Sequence, residues 1–338
     1  MQGRLWRPPP QQSAGRVITE AVRGRQQRQQ TKTITAGRGF DDCCETGRVV
    51  SVLGIEVDGD LLRSWAGWVA PELQPFLSQP WAAPAGGAAA LADVSAQLRD
   101  TYTLWNVDRS LVVVWLDEVA FFDMPRSQRA ALVRSQVNLG RGAAPTVRRW
   151  LDLVDPAAVT SQADGHRFVW WPSLIRSDPE RILARVVETD NHPMHARLSP
   201  SQHRDVTATT WNDCATVLPG AQTLAGTFPR GSGPNCFGTV MAAAGVAGAA
   251  DQRMLQAPFL DWLSACCRPG GTDVEPGTVL VWSDQELKPV HAAVTIGDGW
   301  VLEKPSQCWW TPRSVVNVGQ AIRASRSRGV RLRRYRCV

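Results

Sequence analysis

The chain has 338 residues and a mass of 37.0 kDa, long enough for one large or two ordinary domains with a sizeable buried core. No run of eighteen or more apolar residues occurs, which excludes a transmembrane helix, and the start, Met1 to Pro10, lacks the apolar centre of a secretory signal. The net charge of +6 belongs to the ends. Residues 1–35 carry seven Lys/Arg against one acid and residues 321–338 carry seven Arg and no acid, so the body between them is acidic, with 23 bases to 30 acids. A basic body for gripping a nucleic-acid backbone is therefore not indicated, and only the two tails could touch phosphate. Eight cysteines are too few for a disulfide scaffold, and the expected setting is cytoplasmic, with export independent of a signal left open.

Residues 1–38 are rich in Gln, Arg and Pro without apolar periodicity and are expected to be disordered. A globular region of α/β or α+β type, with no assigned role, is expected over 39–200. Within it, Val49 to Val57 read as one strand closed by a turn at Asp58-Gly59, residues 80–90 as a low-complexity loop, and 110–122 as a buried strand or hairpin. Helices are expected from Pro125 to about Leu139 and from Asp178-Pro179-Glu180 to about Glu188. His192, His195 and His203 form a spacing that could hold a metal, but Pro193 and Pro200 interrupt it and no metal site is assigned.

A second domain is expected over 201–338. After a helix near 210–218 and the loop Gly231-Ser232-Gly233-Pro234 comes Asn235-Cys236-Phe237-Gly238-Thr239-Val240. There Phe237, Val240, Met241 and Ala244 recur at helical spacing and place Cys236 on the first turn of a buried helix. A helix over 252–266, a strand Thr278–Trp282 and a hairpin carrying His291 follow, with Gly297-Asp298-Gly299 at its turn. Arg331 to Arg336 reads as a terminal edge strand.

A thiol at a helix N-terminus feels the positive end of the helix dipole, which favours the nucleophilic thiolate, and an imidazole in reach can move its proton. Cys236 and His291 suit these roles. Hairpin register limits the group that orients the imidazole. A three-residue turn pairs Ile296 with Trp300 and Ala293 with Glu303, which sets Glu303 and Gln307 on the face of His291. A two-residue turn sets Lys304 and Ser306 there instead. The first is favoured, because only it offers an acceptor suited to an imidazolium. Trp309 and Trp310 are candidates for the wall of a substrate groove.

These segments resemble the NlpC-type cysteine peptidases and the related CHAP-type amidases. The resemblance rests on Asn235 to Val240, on Pro276 to Trp282, on His291 to Gly299, and on Glu303 twelve residues after the histidine; it covers about 100 residues. It implies a papain-like α+β domain, with the cysteine at a helix N-terminus packed on an antiparallel sheet. It also implies hydrolysis of a peptide or amide bond through a thioester acyl-enzyme, without a cofactor. Asn235 and Phe237 depart from the usual Asp and Ser of that motif. A non-catalytic binding protein that retains the fold, and an acyltransferase or transglutaminase-type enzyme on the same Cys–His core, are the alternatives.

Overall fold

A computed structural model describes residues 50–80, 83, 88–104, 107–139, 144–189 and 198–338. The basic segment 1–38, the pair Cys43-Cys44, and His192 and His195 lie outside the described residues. Those described form a mixed α+β protein with twelve α-helices and three antiparallel sheets. None of these helices is long and apolar enough to cross a membrane.

The first sheet corrects the single strand expected over Val49 to Val57. It is a hairpin of β1 (Val50–Val52) and β2 (Ile55–Val57), turned at Leu53 and Gly54, both of which take positive φ. Asp58 does not make a turn with Gly59. Its carboxylate accepts the Leu61 N–H at 2.7 Å and caps a helix over Gly59–Val69. The second sheet has the order β3 (Gln74–Ser78), β5 (Val112–Leu116) and β4 (Ala88–Ala90), so the end of the expected loop 80–90 is a short strand. The helix Arg126–Leu139 sends Leu132 and Val133 into the core with Phe76, Val114, Phe121 and Trp171.

The third sheet has six strands: β6 (Cys267–Pro269), β7 (Thr278–Ser283), β8 (Pro289–Gly297), β9 (Trp300–Glu303), β10 (Ser314–Asn317) and β11 (Arg331–Cys337), in the order β10-β9-β8-β7-β11-β6. Alternation along the strands gives it two apolar faces. One carries Val279, Val281, Ala292, Val294, Leu302 and Val315 against Phe237, Val240, Phe259 and Leu263. The other carries Leu280, Trp282, Ala293, Val301 and Val316 against the helix Val318–Ala324. The arginine-rich β11 is not a terminal edge. It pairs with β7 over six residues, and β6 covers part of its outer side.

A shared core joins the two halves of the chain. Trp65 and Leu183 pack with Trp309, and the Trp309 ring lies 5.0 Å from Trp65 and 4.7 Å from Trp68, centroid to centroid. Phe228 meets the Trp65 ring edge-on at 5.2 Å.

Candidate active site

Cys236 opens the helix Cys236–Ala243. The preceding Asn235 is extended and accepts the Gly238 N–H at 3.1 Å, while its Nδ2 donates to the Met254 carbonyl at 2.7 Å. An amide makes both bonds; an ionised aspartate would make only the first. Asn235 therefore both caps the helix and ties its start to the 252–255 loop. Phe237 points inward and stacks on Phe259 at 4.5 Å. Gly238 lets the helix approach its neighbour closely, since a Cβ there would sit 2.3 Å from the Ala249 carbonyl oxygen. The Cys236 side of this helix start stays partly open while Phe237 to Met241 are buried.

His291 stands on β8 opposite Trp282 of β7, with the two rings 5.1 Å apart. The hairpin that brings Glu303 beside it combines both registers considered above. The turn has two residues, Asp298 and Gly299, both with positive φ, and Gly297 pairs with Trp300. A bulge at Ile296 then restores the pairing of Ala293 with Glu303. Ile296 thus does not pair with Trp300 in the regular register. Asp298 is held in its left-handed conformation by the Thr210 hydroxyl, which donates to its carboxylate at 2.5 Å.

His291 Nε2 lies 3.9 Å from Glu303 Oε2, an ion-pairing separation, and the two side chains are 16% and 5% exposed. Cys236 is also within hydrogen-bonding reach of the imidazole. Burial pushes the imidazole towards its neutral form. The charge and hydrogen bond of Cys236, then those of Glu303, outweigh it and raise the His291 pKa to about 10. A histidine so placed carries its proton at neutral pH.

The next residue behaves in the opposite way. Lys304 is fully buried, and its Nζ donates to the carbonyls of Ser306, Cys308 (3.2 Å) and Thr311 (3.0 Å). Burial lowers its pKa to about 7; Arg313 adds to the lowering and nearby cysteines oppose it. Lys304 organises the loop beyond β9 and does not share the face of His291.

Gln307 is not brought to His291, because the chain leaves the strand after Glu303. Its Nε2 donates to Asp100 Oδ1 at 3.2 Å and its carbonyl accepts the Gly233 N–H at 2.9 Å. Trp309 does not wall a groove. It is 7% exposed in the seam with Trp65 and Trp68, and Trp310 packs edge-on against it at 4.9 Å. His203 is bonded to the Ser201 hydroxyl at 3.0 Å, and the described residues contain no cluster of His, Cys, Asp and Glu that could hold a metal ion.

Asp100 was invisible to sequence reasoning. It lies on the helix Ala96–Thr101, is 2% exposed, pairs with Arg253 and accepts from Gln307, while its carbonyl meets Cys308 Sγ at 3.5 Å. It joins the loop at Arg253, before the helix Gln256–Cys266, to the loop after Glu303. No local pattern marks a residue 136 positions before the cysteine for this role.

Scans against protein-family models, curated proteins and solved structures return no match to this chain.

Proposed function

We propose that this protein is a cysteine hydrolase of the NlpC/CHAP kind, with a papain-like catalytic domain, that cleaves a peptide or amide bond through a thioester. The observation that carries the reading is the position of His291, in reach of Cys236 on one side and facing Glu303 on the other. Order supports it as well: cysteine at a helix start, histidine on a central strand, acid on the neighbouring strand.

With Nε2 turned to Glu303, Nδ1 is the ring nitrogen that exchanges a proton with the thiol. The Cys236 sulfur attacks the acyl carbon, and the imidazolium protonates the departing amine. His291 then takes a proton from water as it attacks the thioester. The N–H groups of Cys236 and Phe237, which as the first of a helix have no intrahelical acceptor, would be the donors to the developing oxyanion. Glu303 keeps the imidazole oriented and its protonated form stable.

The test is a library of peptide amides and isopeptides offered to the full chain, with acid quenching and intact-mass analysis. The proposal expects amine release together with a hydroxylamine-sensitive adduct on Cys236, both absent from Cys236→Ala. Cleavage that persists in Cys236→Ala would overturn it.

A further inference from the structure

Away from this site, Cys267 and Cys337 face each other across β6 and β11 as direct partners, with their sulfurs 3.6 Å apart and both thiols free. Their place in the ladder suits a covalent link. Val338 N–H donates to the Cys266 carbonyl and Gly270 N–H to the Arg334 carbonyl, both at 3.0 Å, so the hydrogen-bonded pairs of this ladder flank Cys267 and Cys337. Cys337 turns its own N–H to Gly277 on the β7 side. The two cysteines therefore occupy a non-hydrogen-bonded pair, where antiparallel strands bring side chains closest. A disulfide needs just such a short Cβ–Cβ separation.

The pairing these residues would secure is weak without them. β6 has only three residues, so few ladder bonds hold it to β11. Yet β11 lies between β6 and β7, near the end of the chain, and depends on both neighbours for its place.

We propose that Cys267 and Cys337 are a disulfide site, closed by exchange with a small-molecule disulfide and opened by thiols. The two sulfurs share a hydrogen bond. That bond raises the Cys267 pKa, with burial adding to it, and lowers that of Cys337 against the effect of burial. Cys337 is also the more exposed of the two, so it is the attacking thiolate. It attacks one sulfur of the disulfide RSSR, forms the mixed disulfide Cys337–S–S–R and expels RS⁻. Cys267 then gives up its proton to the expelled thiolate and attacks the Cys337 sulfur, which expels the second RS⁻. The two cysteines lose two electrons and two protons, and RSSR becomes two RSH. The closed loop contains β7 to β11, with His291 and Glu303 inside it and Cys236 outside.

The experiment equilibrates the full chain in glutathione buffers from fully reduced to fully oxidised, then alkylates it and maps unreduced peptides by mass spectrometry. A Cys267–Cys337 linked peptide should accumulate with oxidised glutathione and disappear with reduced glutathione. The melting temperature should rise on oxidation by several degrees, on the order of 5–10 °C for a loop of this length. Cys266→Ser, which changes only the exposed neighbour, should leave both readouts unchanged, whereas Cys337→Ser should lose both. The inference is overturned if Cys267 and Cys337 remain separately alkylated in fully oxidised buffer, if they carry only glutathione, or if the linked peptide contains Cys266. These readouts need no catalytic activity and stand apart from the proposed hydrolase.

Discussion

Replacing Glu303 by glutamine keeps the shape of the side chain and removes its charge, so it isolates what the carboxylate does for His291. At 3.9 Å an opposite charge is worth up to about 4 kcal/mol at an effective dielectric of about 20. Cys236 ranks above Glu303 among the groups that raise the imidazole pKa, and burial opposes both. The loss of Glu303 should therefore lower the His291 midpoint by about 1–2 pH units, at about 1.4 kcal/mol per unit. The sign for stability follows. His291 gains its proton affinity on folding, from 6.5 to about 10. The stabilisation it contributes is complete below the unfolded value and is lost as the pH rises through about 10. Glu303→Gln should shorten that window from its upper side. The assay is an NMR titration of the imidazole ring protons, with His291 assigned from His291→Ala. A wild-type midpoint near 10, falling to between about 8 and 9 in Glu303→Gln, is expected. A midpoint that Glu303→Gln leaves in place would refute the argument, because it would mean the carboxylate does not stabilise the imidazolium.

Lys304→Met removes the donor shared by three carbonyls and should cost about 1–3 kcal/mol in chemical denaturation, with faster proteolysis within 304–311. Because burial depresses the Lys304 pKa to about 7, the wild type should also gain stability relative to this variant as pH rises from about 7 to 10. Asn235→Ala loses the helix cap and the bond to Met254 and should cost about 1–2 kcal/mol, read by urea unfolding. Asp100→Ala strands Arg253 and frees Gln307, and should destabilise the protein by about 2 kcal/mol and speed hydrogen exchange in 231–234 and 305–309. Unchanged exchange there would show that Asp100 does not hold those loops.

The parts of this account that were legible in the sequence rest on short-range rules. Asn235 before an apolar 3–4 repeat marks a helix start, and an alternating strand on either side of Asp298-Gly299 marks a hairpin. The pairing of Ala293 with Glu303 was reached from a three-residue turn. The molecule reaches it through a two-residue turn and the bulge at Ile296, a detail that spacing cannot distinguish. What failed to show depends on contacts far apart in the chain. Gln307 was placed by extending the strand pattern past Glu303, but Lys304 gathers three carbonyls there and turns the chain away. Trp309 looked like a groove residue because nothing local shows that Trp65 and Trp68, more than 200 positions earlier, cover it. Asp58-Gly59 read as a turn because a cap and a turn use the same residue types, and only the following helix decides between them. The inner position of β11 escaped notice because arginines on a strand suggest an exposed edge, whereas here they flank a strand paired on both sides.

The central claim is that Cys236 and His291 form a working pair. Its most direct test is the rate of Cys236 alkylation by iodoacetamide between pH 5 and pH 9, read by peptide mass spectrometry in wild type and in His291→Ala. The account predicts rapid labelling at pH 6 in the wild type and a marked slowing there in His291→Ala. Labelling that rises only near pH 8.5, the range of an ordinary thiol, or that is the same in both proteins, would contradict it.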